Sequence, residues 1–348
     1  MIMAGGTGGH VFPGLVVADY LRDRGLRVVW LGAKTGMEAS LVPKRGYDMA
    51  WVSFSGVRGK GPATLFMLPL RLLLAFWQSA RAIFATRPDV VLGMGGYMSF
   101  PGGIMAALFG KPLVIHEQNS VPGLANRILA YVADRTLCAF PGALAGATLT
   151  GNPVRPEIAA IPAPQSRYAA RSGPLRILVI GGSLGAKALN DIVPQALALL
   201  NVEQRPLVTH QSGREHFETL QRAYSSAGVE ATLLGFIEDM AAAYAEADLV
   251  VCRAGAITVA ELAAAGVASV LIPFPHAVDD HQTTNARFLV DAGGAILLPQ
   301  RDLTAERLAR LLRELDRQRL REMAEHARTL GKGDATRMVA TACMELAG

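Results

Sequence analysis

The sequence predicts an α/β fold of two doubly wound domains facing a central cleft, and three observations carry that expectation. Short runs of β-branched and aliphatic residues alternate with longer helical stretches, the pattern of parallel sheets covered on both faces. A glycine-rich turn follows an apolar strand in each half: Met3-Ala4-Gly5-Gly6-Thr7-Gly8-Gly9 and Ile180-Gly181-Gly182-Ser183-Leu184-Gly185-Ala186. Between the halves, Pro153 to Pro174 is rich in proline and alanine, which reads as a linker. These features place a first domain at residues 1–155, a linker at 156–175 and a second domain at 176–330. A terminal helix at 331–348 follows, and periodicity leaves its docking site open.

In the first half the predicted strands are Val28–Leu31, Val90–Leu92 and Leu113–Ile115. In the second they are Ile177–Ile180, Leu207–Thr209, Leu249–Val251 and Val270–Ile272. Continuous apolar runs of this kind suit strands buried on both faces. From about Thr304 onward the composition is helical, interrupted at Gly331-Lys332-Gly333.

Hydrophobic residues at 51% and charged residues at 18% exclude a disordered or fibrous chain. Cys138, Cys252 and Cys343 lie far apart with no CxxC pair, which argues against a zinc knuckle or a disulfide framework and suits a reducing compartment. No secretory leader is expected, and the short first strand suggests a few further residues upstream. Val90 to Gly110 is charge-free and long enough to span a bilayer, but its six glycines and Pro101 argue for strand, loop and helix start instead. Residues 1–155 carry 15 Lys/Arg against 7 Asp/Glu, whereas 156–348 carry 19 against 22. The basic first half suits an anionic partner, either nucleic acid or an acidic membrane leaflet.

The stretch Gly5-Gly6-Thr7-Gly8-Gly9-His10 allows close main-chain approach to a ligand and leads into a helix N-terminus that favours anions. It fails the dinucleotide fingerprint, because Val11 stands where the last glycine belongs and no acidic residue follows the second strand at Gly32-Ala33-Lys34. His10 either takes a proton from a substrate hydroxyl, as histidine can near neutrality, or merely caps the helix. Gly181-Gly182-Ser183 is a second phosphate-cradle candidate, with Ser183 equally suited to an N-cap. Lys187 is nearby, without the order of a Walker loop.

Cys252-Arg253-Ala254-Gly255-Ala256-Ile257-Thr258-Val259-Ala260-Glu261 follows a buried strand. Its helix start can offer N–H groups to a nucleotide, and Glu261 can bind a ribose diol or simply complement the helix dipole. His276, Asp279, Asp280 and His281 match no zinc signature, and no DxD pair occurs, so no metal and no other cofactor is expected. Gln282 and Asn285 suit sugar hydroxyls better. Leu65 to Trp77 is nearly all apolar, too short to span and interrupted by Pro69. With Arg58, Lys60, Arg71 and Arg81 around it, the set Leu65, Phe66, Leu72, Phe76 and Trp77 forms either a lipid-facing patch or an ordinary buried helix.

Taken together, Gly5–Gly14, Gly93-Met94-Gly95-Gly96-Tyr97, His116-Glu117-Gln118-Asn119, Gly151–Arg155, Gly181–Ser183 and Gly255–Glu261 closely resemble the MurG family of UDP-N-acetylglucosamine transferases of peptidoglycan synthesis. The resemblance spans almost the whole chain. It implies a GT-B glycosyltransferase fold, with the acceptor on the first domain and the donor on the second. It implies inverting transfer of GlcNAc from UDP-GlcNAc to O4 of MurNAc on undecaprenyl diphosphate, with no metal. Catalysis would take place at the cytoplasmic face of the bacterial inner membrane, with the enzyme held peripherally. By resemblance, His10 is the base and Thr7, Gly8 and Gly9 lie beside the donor. Asn119 would reach its sugar, Arg155 and Ser183 the nucleotide or diphosphate, and Ile237 the uracil. Ala256, Ile257, Thr258, Val259, Ala260 and Glu261 would hold phosphates and ribose, and Gln282 the GlcNAc hydroxyls. Gly95, Gly96 and Tyr97 become candidates for the acceptor diphosphate. The chain departs from the family at Ala254 and Ala260, often serine, and in a Pro275–Gln282 loop one residue longer.

Three other readings compete. A UDP-GlcNAc 2-epimerase of the same fold would need no lipid acceptor, which Leu65–Trp77 argues against. A non-catalytic membrane-docking module would not need His10. A nucleic-acid binder would interleave aromatics with its basic residues, and this sequence has few there.

Overall fold

The structure, a computed structural model, describes residues 1–54, 66–182 and 185–348. It forms two compact units: Met1–Arg155 with Asp334–Gly348, and Pro156–Gly333.

In the first unit the described residues form a parallel sheet of β1 (Ile2–Met3), β2 (Val29–Gly32), β3 (Asp48–Trp51), β4 (Val91–Gly93), β5 (Leu113–Glu117), β6 (Arg135–Cys138) and β7 (Thr148–Leu149). Their order is β3-β2-β1-β4-β5-β6-β7. Period-two alternation assigns each strand's residues to two cores. Ile2, Trp30, Leu92 and Val114 face α1 (Gly8–Arg22), through Val11, Leu15 and Ala18. Met3, Leu31, Val91, Leu113 and Ile115 face the other way. After α2 (Glu38–Lys44), that second face is covered by α3 (Leu68–Thr86), α4 (Ser99–Leu108) and α5 (Leu124–Leu129), which contribute Ala75, Ile83, Ala106 and Leu129. Pro69, expected to interrupt the apolar stretch, instead sits in the first turn of α3, where the missing N–H costs nothing.

The second unit repeats the plan with β8 (Arg176–Ile180), β9 (Leu207–Gln211), β10 (Thr232–Leu234), β11 (Leu249–Cys252), β12 (Ala268–Leu271) and β13 (Ala295–Leu297), ordered β10-β9-β8-β11-β12-β13. Its helices are α6 (Pro156–Ala159), α7 (Pro164–Ala169), α8 (Lys187–Ala198), α9 (Phe217–Ala227), α10 (Met240–Glu246), α11 (Ala256–Ala265), α12 (His281–Val290), α13 (Ala305–Glu314) and α14 (Arg317–Thr329). In both sheets the strand order reverses once, between β1 and β4 and between β8 and β11, while every strand stays parallel. Each reversal opens a crevice at the carboxyl ends of those strands, where doubly wound sheets bind ligands.

One expectation is corrected here, and the docking of the terminal helix, left open above, is seen. Residues 156–175 do not form a free linker, because α6 and α7 are packed into the second unit. Arg167 is buried there and donates to the Ala265 carbonyl at 2.8 Å, capping the end of α11. Tyr168 donates to the Asp248 carbonyl at 2.6 Å. The terminal helix α15 (Ala335–Ala347) returns to the first unit and packs on α1, burying Val339, Ala340, Ala342 and Cys343.

Candidate active site

In the first crevice, β1 runs into Gly5-Gly6 and β4 into Gly95-Gly96. Gly6, Gly95 and Gly96 have φ of +93°, +87° and +80°, open to glycine at no steric cost. A Cβ on Gly96 would lie 2.3 Å from the Gly5 carbonyl oxygen, so the two loops meet through bare main chain. Glu38, fully buried, fastens the first loop by accepting from the N–H groups of Gly6 and Ala33, both at 3.1 Å. Tyr97 is half-buried; burial first and the Glu38 charge second push its hydroxyl pKa up.

Thr7 is the N-cap of α1, yet its exposed side chain makes no cap bond. Gly8, Gly9 and His10 are the first turn of that helix rather than a preceding loop. His10 is half-buried, its Nδ1 2.8 Å from Gln118 Oε1. Gln118 Nε2 lies 2.9 Å from His116 Nδ1, and His116 Nε2 lies 2.9 Å from the Gly151 carbonyl. Burial lowers the His116 pKa to about 4. Asn119, half-buried at the end of β5, donates its main-chain N–H to Glu117 Oε1 at 2.8 Å. Glu117 Oε2 accepts from Gly123 N–H at 3.1 Å and Asn126 Nδ2 at 2.9 Å, so Glu117 pins this loop. Arg155, half-buried, is the last residue of this part of the unit.

The second crevice holds a cavity of about 650 Å³ lined by Gly181, Gly182, Lys187, Arg253, Gly255, Thr258, Phe274, His276 and Gln282 among others. Ser183, expected here, lies outside the described residues. Lys187 pairs with Asp191 one turn along α8. Gly255 caps α11, and its first helical bond is Val259 N–H to the Gly255 carbonyl at 2.9 Å. The N–H groups of Ile257 and Thr258 precede that bond and point out of the helix start, as an anion site requires. Ala256, Val259 and Glu261 are buried, with Ile257, Thr258 and Ala260 half-buried. Val259 is fully enclosed, and its N–H is already used in the helix bond to Gly255. Glu261 Oε2 accepts from Tyr244 Oη at 3.1 Å, which orients the carboxylate.

Arg253 has no role legible from its sequence position. It donates to the Ile272 and Pro273 carbonyls at 3.1 and 3.2 Å and to Gln300 Oε1 at 2.6 Å. That sets a cation at the cavity wall; burial lowers its pKa. Gln211 ties the Gly182 carbonyl (3.0 Å) to that of Gly235 (3.5 Å) beside buried Ile237. Gln282, which lines the cavity, accepts at Oε1 from Phe274 N–H at 2.9 Å, leaving its amide nitrogen to donate elsewhere. Asn285 is a correction: it is fully buried and donates to the Ala254 carbonyl at 3.3 Å, so it does not face sugar hydroxyls. Among the described residues no three His, Cys, Asp or Glu side chains converge as a metal set.

The patch on α3 also differs from expectation. Phe66 and Trp77 are exposed, but Leu72 and Phe76 turn inward and are half-buried, Phe76 against the Phe100 ring. The outward stripe is Leu70, Leu73, Leu74, Trp77 and Phe84, at helical spacing, with Arg81 stacked 5.8 Å over Trp77. Leu108 on α4 and Leu124 and Ile128 on α5 are also exposed. Leu65 lies outside the described residues. No helix among the described residues is long and apolar enough to cross a membrane.

Two switch-point crevices ending in glycine loops define the class. Residues 1–138 match the glycosyltransferase family 28 N-terminal domain, and residues 176–343 match the family's C-terminal domain. The chain is 62% identical to the UDP-N-acetylglucosamine–N-acetylmuramyl-(pentapeptide) pyrophosphoryl-undecaprenol N-acetylglucosamine transferase of Cupriavidus metallidurans, over all of this chain and 98% of that one. The crystal structure of Acinetobacter baumannii MurG superposes with a TM-score of 0.87 at 42% identity, covering 99% of both chains. The chain belongs to the MurG family of glycosyltransferases and has the GT-B fold. A putative UDP-N-acetylglucosamine 2-epimerase from Listeria monocytogenes shares the fold alone, at 13% identity and TM-score 0.65 over 99% of this chain and 95% of that one.

Proposed function

We propose that this protein transfers GlcNAc from UDP-GlcNAc to O4 of MurNAc in undecaprenyl-diphospho-MurNAc-pentapeptide, converting lipid I to lipid II. The observation that carries the reading is His10. In a chain matched end to end by relatives named for this transfer, a histidine stands at the mouth of the first sheet, beside two bare glycine loops. The step is a single displacement. The acceptor O4 lone pair forms the bond to C1 of the donor while its proton passes to His10. The C1–O bond breaks toward the diphosphate, and UDP departs with the electron pair, inverting the anomeric centre.

UDP takes the second-unit cavity. The start of α11 and the Arg253 charge stabilise the departing diphosphate without a metal. Glu261 binds the ribose, Ile237 flanks the uracil and Gln282 reads the GlcNAc hydroxyls. Ser183 and Arg155 meet the nucleotide or diphosphate, while Thr7, Gly8, Gly9 and Asn119 lie beside the donor. Gly95, Gly96 and Tyr97 receive the acceptor diphosphate. The direct test follows labelled GlcNAc from UDP-GlcNAc to a short-chain lipid I analogue, with UDP-GalNAc as competing donor. Transfer is expected from UDP-GlcNAc; formation of UDP-ManNAc from UDP-GlcNAc alone, with no transfer, would establish the epimerase instead.

The apolar stripe of α3 and its arginines rest on the anionic cytoplasmic leaflet, holding the enzyme peripherally at the acceptor's membrane. Each fully buried large apolar side chain contributes about 1.5–3 kcal/mol. The double variant Leu73→Glu/Trp77→Glu is therefore expected to bind anionic vesicles about 100-fold or more weakly. Sedimentation with vesicles measures this, and unchanged binding would remove the patch from the membrane contact.

A further inference from the structure

The hydrogen bonds that end on His10 run in one direction, and that direction can be read from a main-chain carbonyl. His116 Nε2 lies 2.9 Å from the Gly151 carbonyl oxygen. A carbonyl only accepts, so Nε2 carries the hydrogen. His116 is wholly buried, and its lowered pKa of about 4 keeps it neutral near pH 7, which leaves Nδ1 bare and able only to accept. Gln118 Nε2, at 2.9 Å, is its partner. The same nitrogen donates to the His116 carbonyl at 3.0 Å. This second acceptor fixes the amide's orientation independently of any histidine tautomer. Gln118 Oε1 must then face His10, and it does, 2.8 Å from Nδ1. An amide oxygen only accepts, so His10 Nδ1 carries the hydrogen and Nε2 of the neutral ring is bare. Among the described residues nothing hydrogen-bonds His10 Nε2.

We infer that Gln118 is a positioning residue that locks His10 in the Nδ1–H tautomer, with His116 orienting Gln118 in turn, so that Nε2 is the atom that receives the acceptor's proton. The inference rests on the reading of His10 as the base, and it deepens that reading. The surrounding structure is built for the contact. Gln118 is buried, and its carbonyl accepts from Asn152 Nδ2 at 3.0 Å; the His116 carbonyl also accepts from Asn126 Nδ2 at 3.1 Å. A Cβ on Gly95 would lie 2.9 Å from His10 Nδ1 and 3.3 Å from Gln118 Oε1, so glycine there is what lets the pair close. A base held in the wrong tautomer presents N–H to the hydroxyl and cannot take its proton.

The test uses the full chain with ¹⁵N-labelled histidine imidazoles. Long-range ¹H–¹⁵N correlation above neutral pH distinguishes the tautomers, and the His10 signals are assigned by their loss in His10→Gln. In the unmutated protein, His10 is expected to be protonated at Nδ1 and His116 at Nε2. Gln118→Met, which keeps length and removes the side-chain hydrogen bonds to both histidines, is expected to give a mixed His10 tautomer. Its kcat should fall about 10- to 100-fold, with KM for UDP-GlcNAc unchanged. A His10 protonated at Nε2 in the unmutated protein would overturn the inference, as would a Gln118→Met enzyme with normal kcat. If that variant does not fold, the unmutated spectrum decides alone. Full turnover in His10→Ala would instead remove the base reading while leaving the tautomer spectrum intact, so the two failures are separable.

Discussion

Replacing His10 with alanine is expected to lower kcat by about 10²–10⁴-fold, the range a positioned acid–base group contributes. The affinity for UDP should stay near its original value, because the residues lining the proposed UDP cavity, at or after the carboxyl ends of β8, β11, β12 and β13, belong to the second unit and His10 belongs to the first. Steady-state kinetics with a lipid I analogue reads the first quantity and calorimetry with UDP reads the second. A loss confined to kcat identifies a group that acts in the transition state alone. Near-normal turnover would mean that another group, or water, takes the O4 proton.

Gly96→Ala is expected to be the most damaging small substitution in the first unit. Its φ of +80° costs a residue with a Cβ about 1–2 kcal/mol. The new methyl would also press on the Gly5 carbonyl from 2.3 Å, which adds the cost of overpacking, about 1–3 kcal/mol. A matched control exists in Gly46, also at φ +80°, where an added Cβ would meet no atom within 4 Å. Gly46→Ala carries the backbone cost alone. The difference between the two apparent unfolding midpoints therefore isolates the meeting of the two loops. Equal midpoints would show that the Gly5 and Gly96 loops yield to each other easily.

Much of this architecture is legible in the residues. Interior strands such as β8, β11 and β5 announce themselves because burial on both faces demands unbroken apolar runs. The edge strands do not. Both residues of β7 are exposed, and β3 reads Asp48-Met49-Ala50-Trp51, so neither offers a continuous run. The crevices are legible because main chain that must approach main chain leaves glycine behind, as at Gly96 and Gly185. The groups that hold those loops are not. Glu38 reaches Gly6 across 32 residues and Gln118 reaches His10 across 108, and no local pattern encodes a polar contact at such separation. The face of α3 escapes the sequence for a related reason. In a stretch where nearly every residue is apolar, composition cannot separate Leu72, facing the core, from Leu73, facing out; only the neighbours β2, β3 and α4 decide.

The return of α15 to α1 reverses the order in which the two halves can be finished. A ribosome releases α1 early, but the side chains that pack against it from α15, Val339, Ala340, Ala342 and Cys343, emerge only after residues 156–333. Residues 156–333 can close their core while the amino-terminal half still waits with an open apolar seam. Biosynthesis normally lets the leading domain settle first. Here the trailing one has all its residues before the leading one does, and a clip that removes residues 334–348 would strip the helix that packs on α1.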